Sequence, residues 1–378
     1  MTCRPALPWW IVLVLVHLAL IPRVSAQQLD SALEAIRKVG PKGQGNPQAA
    51  SAWRELVSKG TEGMIPALEA MEDDSPLAGN WFRSALDAMG DKARQQSQTF
   101  PLARVESFVL DRNKARVARA CALEMLEANN PSLAEKILEN SLDDPSGEIR
   151  RKAIARGLSK IPVLPKEKQA EALDGLFQKA ADIDQVEKIA SDLKSLGKEV
   201  SVRERAGFLT RWSVIGPFDN KDNQGFLQMT DLEKAPVDLS KTVAGPSGDL
   251  RWKDHETVDK AGLVDLNKVI GNEKSVVAFA FARVNSPATQ RVQLRVGSIT
   301  SVRIYLNGVQ VYEHNEYHNG MSPDQYLSNI ELKPGENTLL IKVGQNDKSK
   351  PWEKNWQFQA RLTDFAGARA NVQPLKPR

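Results

Sequence analysis

Near residue 205 the spacing of apolar residues changes from threes and fours to twos. No single regular architecture accommodates both spacings, so the chain must build helices first and strands afterwards. From Gln28 to about Arg205, Ala, Leu, Glu, Lys and Arg dominate, with apolar residues three and four apart. Stop signals recur at Gly40-Pro41, Gly60, Ser75-Pro76, Gly90, Asn130-Pro131, Asp144-Pro145 and Gly197. The segments between them have the length of short antiparallel helices. From about Phe208 the alternation is that of half-buried antiparallel strands. Val292, Leu294 and Val296 share one face, as do Val302, Ile304 and Leu306, then Leu339, Ile341 and Val343, then Trp356, Phe358, Ala360 and Leu362. The continuous apolar run SVVAFAFARV (275–284) suits a central strand. Asn307-Gly308 is a type I′ hairpin signal, and Lys333-Pro334-Gly335-Glu336 a second turn. Roughly eight or nine strands follow, enough for a two-sheet antiparallel β-sandwich of jelly-roll type.

The first residues have a different purpose. Arg4 precedes an apolar run of 13 residues, Trp9 to Ile21, and Val24-Ser25-Ala26 offers the small residues of a cleavage site. This three-part pattern is a secretory signal. A membrane-spanning helix would need about 20 apolar residues. Residues 1–26 are therefore read as a signal peptide, cut before Gln27, which makes the protein exported, periplasmic or extracellular, with no stable span afterwards. No Asn-x-Ser/Thr sequon is present, which fits bacterial export. Removing 1–26 takes Arg4 and Arg23 and no acid, so 51 basic against 47 acidic residues becomes 49 against 47. That balance, with no dominant basic block, argues against a nucleic-acid partner. It also takes Cys3 and leaves Cys121 alone among small and apolar neighbours, a core residue in a fold that needs no disulfide.

Repetition inside the helical half separates a bundle from a solenoid. ARVARACALEML (115–126) and GEIRRKAIARGL (147–158) align with Val117 on Ile149, Cys121 on Ala153 and Leu126 on Leu158. DDPSGEIRRKAIARGL (143–158) resembles the second-helix signature of HEAT repeats through Asp144, Pro145, Ile149, Arg150, Ala153 and Leu158. The resemblance implies an α-α superhelix (HEAT/armadillo-like solenoid), in which each helix pair leaves an apolar face that only a neighbouring pair buries. In the second half, WSVIGPFDNKDNQGF (212–226), VRIYLNGVQVYEHN (302–315) and LKPGENTLLIKVGQ (332–345) resemble the galactose-binding-domain-like sandwich. They are closest to the sugar-binding-like N-terminal domains of β-galactosidase-type glycoside hydrolases. The expected order is a signal over 1–26, helical repeats over 27–204, a sandwich over 205–366 and a flexible tail over 367–378.

No catalytic set is legible. His314 and His318 in HNEYH do not make the zinc-protease pattern, which needs Glu directly after the first His on a helix, whereas here Glu316 stands two places on in a loop-like stretch, and no nucleophile elbow or phosphate loop occurs. Two groups remain as candidates. An aromatic ring stacks on the apolar C–H face of a sugar while polar neighbours bond its hydroxyls. Tyr312, His314, Tyr317 and Trp352 have those side chains in or beside a polar loop. Asp219, Asn220, Asp222 and Asn223 form an oxygen-rich stretch of the kind that holds calcium. The expectation is a non-catalytic binding or scaffold protein, with the helical repeats taking an exported protein partner and the sandwich an extracellular polysaccharide. The alternatives are an accessory or cryptic glycoside hydrolase, and a purely structural sandwich that caps the solenoid.

Overall fold

The computed structural model describes residues 28–234, 236–317, 320–347, 350 and 353–376. The signal-peptide segment and Trp352 lie outside the described residues. The chain divides into two compact units, one ending at Ala153 and the other spanning Ile154–Arg378. Among the described residues no helix is long and apolar enough to cross a membrane.

The first unit is helical: α1 (residues 28–37), α2 (Asn46–Ser58), α3 (Thr61–Ala70), α4 (Pro76–Gln95), α5 (Leu102–Leu110), α6 (Arg116–Asn129), α7 (Pro131–Glu139) and the start of α8 (Gly147–Lys160). Prolines stand in the first turns of α2, α4 and α7, where no backbone donor is lost. Asn130 caps α7 by accepting the Leu133 N–H at 3.2 Å. The small and aliphatic residues at helical spacing, among them Ala49, Leu68, Ala85, Cys121, Leu126 and Ile149, close into one core. The turn ahead of α8 does more than cap. Asp144 accepts the Ser146 N–H at 2.8 Å and both arms of the Arg119 guanidinium at 2.8 and 2.7 Å. Arg119 also reaches the Val109 carbonyl, and Arg150 the Asp144 carbonyl. One buried pair thus ties the end of α5, the helix α6 and the start of α8.

The second unit opens with the rest of α8, then α9 (Lys166–Lys179), α10 (Ile183–Ser195) and α11 (Val202–Ala206), followed by antiparallel sheets. Arginines fix the junction inside this unit. Arg205 donates to the Phe177 and Ala180 carbonyls, Arg203 to the Thr257 carbonyl, and Arg361 to the Ala206 carbonyl.

The strands are β1 (Arg211–Asp219), β2 (Val243–Gly245), β3 (Gly248–Leu250), β4 (Lys253–Glu256), β5 (Val264–Asp265), β6 (Val276–Ser286), β7 (Gln290–Ser298), β8 (Val302–Leu306), β9 (Val309–His314), β10 (Tyr326–Leu332), β11 (Gly335–Gln345), β12 (Gln357–Thr363) and β13 (Gln373–Pro374). One sheet has the order β4-β1-β6-β11-β8-β9, with β13 also on β6; another has β10-β7-β12-β5; β2 and β3 pair alone. β8 and β9 turn at Asn307 and Gly308, whose φ values of 51° and 81° are those of a type I′ turn. The inward residues of the two larger sheets, including Ala280, Ile304, Ile341, Leu294, Val296 and Phe358, share one core. Trp212 and Trp356 lie fully buried in it, and Trp212 sets its ring edge-on to Phe358 at 5.1 Å.

The larger sheet is buried on its other face as well. The long connection from β1 to β4, which includes the short helix α12 (Gln224–Leu227), lays Phe226, Leu232, Val237, Leu239 and Trp252 against Ile215, Phe279, Phe281, Tyr305 and Leu340. The strand alternation suggests solvent on that face, so this cover is a departure from the expected pattern. The stretch expected as a flexible tail also departs from expectation. Gln373 and Pro374 pair with Asn285 and Val284, and the Leu375 N–H bonds the Arg283 carbonyl at 2.9 Å. β6 leaves a free edge beyond the first residues of β1, and these residues fill it.

Candidate binding groove

On the covered face of the larger sheet, neighbouring strands set their side chains in rows. Phe281 of β6 stands opposite Leu340 of β11, which stands opposite Tyr305 of β8. One step along, Arg283 stands opposite Thr338, whose carbonyl accepts the Asn307 N–H at 2.8 Å. An apolar row is therefore followed at once by a polar one. These rows floor a groove of about 580 Å³, walled on one side by Pro236 to Ser240 and on the other by Gly308, Lys333 and Glu336. Concave sites of a few hundred Å³ with an apolar bed and a few convergent polar groups are the usual form of ligand sites.

At the head of the groove lies a buried ionic network. The Glu233 carboxylate is fully buried. It accepts bonds from the Thr230 N–H at 2.7 Å, the Tyr305 hydroxyl at 2.8 Å, the Lys342 ammonium at 3.0 Å and the Arg303 guanidinium at 3.2 Å. Lys342, also fully buried, donates to the Gln228 carbonyl at 2.7 Å and lies over the Phe279 ring at 5.5 Å. Arg303 adds a bond to Glu313 at 2.8 Å. Burial pushes the Glu233 carboxyl up, but the Thr230 N–H, Lys342 and Tyr305 outweigh it and hold it below the usual carboxylate range. Burial lowers the Lys342 ammonium. Burial and then the bond to Glu233 push the Tyr305 hydroxyl up to about 12. The network pins the segment Gln228–Glu233 to the sheet and so fixes where the wall begins.

The carboxylates of the groove all have partners. Both oxygens of Glu336 accept from Arg283 Nη1, at 3.2 Å each. Asp238 accepts from the Ser240 hydroxyl and N–H, which hold it below its ordinary range.

The sequence-derived candidates fall in three places. Tyr312 and His314 come together on β9, and their rings pack on Tyr326 of β10 at 5.4 and 4.5 Å, closing the edge between the two sheets. Tyr317 lies apart from them. Its hydroxyl meets Ser301 at 3.2 Å and Asn220 at 3.5 Å, inside the loop cluster at the ends of β1 and β11. Trp352 is outside the described residues. Of the oxygen-rich stretch, Asn220 is 3% exposed and turns inward: its amide donates to the Gln345 carbonyl at 3.2 Å and accepts the Phe226 N–H at 2.7 Å. Asp219 accepts the Lys221 N–H, and Asn223 bonds Asn315. Asp222 and Asn223 take left-handed turn conformations, with φ of 51° and 63°. Among the described residues no cluster of three or more His, Cys, Asp or Glu is placed to hold a metal ion.

Sequence reasoning missed the groove. Its signal was the run of apolar residues on both faces of 276–282, with Val277, Phe279 and Phe281 on the outer one, which asks for cover on each side of the sheet.

No protein-family model matches the chain, and no curated protein matches it. Several solved structures are similar in part. A β-glucuronidase from an uncultured Clostridium sp. is 16% identical, with a TM-score of 0.26 over 41% of this chain and 28% of that one. A GH31 α-xylosidase from Xanthomonas citri is 10% identical, with a TM-score of 0.20 over 32% and 17%. A β-glucosidase from Kluyveromyces marxianus, in complex with glucose, is 12% identical, with a TM-score of 0.28 over 76% and 33%. The chain spans a third or less of the length of each. Scores this low do not define a fold in common.

Proposed function

We propose that the chain is an exported, non-catalytic binding protein. In this reading residues 1–26 are its export signal and the helical repeats form a HEAT-like superhelix that takes a protein partner. The two larger sheets form a galactose-binding-like sandwich that holds a carbohydrate in the groove over Phe281, Leu340 and Tyr305. The observation that carries the reading is the floor itself. A pyranose ring has an apolar C–H face and a polar rim, and the adjacent rows Phe281–Leu340–Tyr305 and Arg283–Thr338 match that division.

The groove's carboxylates favour binding over hydrolysis. A glycosidase needs one carboxyl held protonated as a general acid beside a second, ionised one. Here Glu233 and Asp238 are held low and Glu336 is matched by Arg283.

A glycan array probed with the full chain tests the reading, followed by calorimetric titration of each hit. Phe281→Leu removes the ring while keeping an apolar side chain. It should weaken binding at least tenfold with the melting temperature changed by only a few degrees. A full chain that binds no glycan, or binds with an affinity indifferent to Phe281→Leu, overturns the proposal.

A further inference from the structure

We propose that Arg283 sets which glycan the groove accepts, and that it selects an uncharged oxygen: a neutral sugar over its uronic-acid counterpart. The inference rests on the groove reading above. Arg283 is 8% exposed, and its fork is fixed from two sides. Nη1 donates to both oxygens of Glu336 at 3.2 Å, and Nη2 donates to the Lys376 carbonyl. Its own carbonyl accepts the Leu375 N–H at 2.9 Å, beside the pairing of Gln373 and Pro374 with β6. Of the two donors these bonds leave over, Nε–H is buried and has no acceptor. A buried donor left unmade is costly, so an acceptor brought by a ligand gains affinity there. Among the described residues lining the groove, this Nε is the one buried side-chain polar atom without a partner. Asn307 bonds its amide to Asn337 and to the Thr338 N–H, and Tyr305 donates to Glu233.

The sign of the ligand follows from the charges that face it. Glu336 already neutralises Arg283, and a carboxylate arriving at Nε would meet Glu336 as a like charge. Glu233 and Glu313 balance Lys342 and Arg303. Lys333 and Asp238, one of each sign, complete the rim. A neutral hydroxyl or ring oxygen satisfies the donor without that repulsion. The segment 373–376, distant in sequence, acts as the positioning element that holds the fork in place.

The test uses the full chain on an array that pairs neutral gluco-, manno- and galacto-oligosaccharides with their uronate counterparts, each hit then titrated by calorimetry. Wild type should favour the neutral member of a pair by about tenfold or more. Arg283→Lys keeps the charge and loses Nε and the planar fork. It should lose about tenfold in neutral binding and lose the discrimination. Glu336→Gln uncovers the positive charge and should shift preference toward uronates. Leu375→Pro removes the N–H that ties the segment to Arg283 and should lower discrimination in the same direction as Arg283→Lys, a change in ratio that general destabilisation does not produce. Neutral binding that survives Arg283→Lys with its discrimination intact overturns this inference and leaves the groove standing. Preference of wild type for uronates overturns it as well. Binding of neither class overturns the groove reading, and the inference with it.

Discussion

Replacing Glu233 by alanine should unfold the second unit far more easily. The carboxylate accepts four hydrogen bonds, from Thr230, Tyr305, Lys342 and Arg303. Arg303 would keep Glu313, but among the described residues the buried Lys342 ammonium would keep only the Gln228 carbonyl and the Phe279 and Phe226 rings, at 5.5 and 5.9 Å. Breaking a buried ion pair by removing one partner costs about 3–5 kcal/mol, because the other charge is left uncompensated. For a unit of this size about 1 kcal/mol moves the transition by ~2–4 °C, so a fall on the order of 10 °C is expected. The double variant Glu233→Met, Lys342→Met removes both charges and the desolvation that both impose. It should recover most of the loss, to within about 2 kcal/mol of wild type. Denaturant unfolding of the full chain, followed by tryptophan fluorescence, reads both, with the two units allowed separate transitions. A loss under about 1 kcal/mol for Glu233→Ala refutes the argument. So does a double variant no more stable than the single.

The same logic applies in the helical unit, where Asp144→Ala leaves Arg119, itself 2% exposed, without its carboxylate; about 3 kcal/mol of the first unit's stability should go, by the same denaturation assay. All four tyrosines are displaced upward, Tyr305 and Tyr326 to about 12 and Tyr312 and Tyr317 by burial. Their folded values lie above the unfolded one, so the stability they contribute is whole below about pH 10 and is lost as pH rises through each folded value, for Tyr305 and Tyr326 toward 12. Tyrosinate absorbance of the folded chain should leave Tyr305 and Tyr326 out of any step at about pH 10, and a step there of full four-tyrosine amplitude would contradict their burial. Burial pushes the Cys121 thiol up to about 12, so peptide-level mass spectrometry at pH 8 should find Cys121 unalkylated in the folded chain and modified on unfolding.

The parts of the fold legible in the sequence are those where one periodicity governs one buried face. Val292, Leu294 and Val296 alternate with Arg291, Gln293 and Arg295, and the first three do face the core between the sheets. The same rule fails for Arg303 and Tyr305 on β8 and Lys342 on β11. Each stands at an outward position and is buried all the same. Alternation reports where the first core lies and says nothing about a second layer. That layer comes from the β1–β4 connection, which carries Pro, Gly and Asp in place of a period and reads as loop. Tyr312 and His314 come together away from the groove for a related reason. Residue type picks out rings that can stack on a sugar, whereas strand phase turns Tyr312 and His314 toward the inner side, onto Tyr326.

In the proposed groove, the covering segment would also link stability to binding. Tyr305 belongs to both systems: its ring floors the groove and its hydroxyl bonds Glu233, which fixes the start of the groove's wall. A change at Glu233 should therefore reach the ligand through the wall and the ring, without any contact of its own. Glu233→Gln keeps the size of the side chain and removes its charge. Lys342 then loses its only carboxylate among the described residues, and the bonds that hold Gln228–Glu233 to the sheet weaken. A free segment must be ordered again on binding, which costs conformational entropy of about 1–2 kcal/mol per residue fixed. Affinity for a groove ligand should fall by about tenfold, on the scale of one such residue. Phe281→Leu, in contrast, should weaken binding with little loss of stability. Glycan affinity unchanged in a destabilised Glu233→Gln variant would show that the wall plays no part in recognition. The floor alone would then hold the ligand.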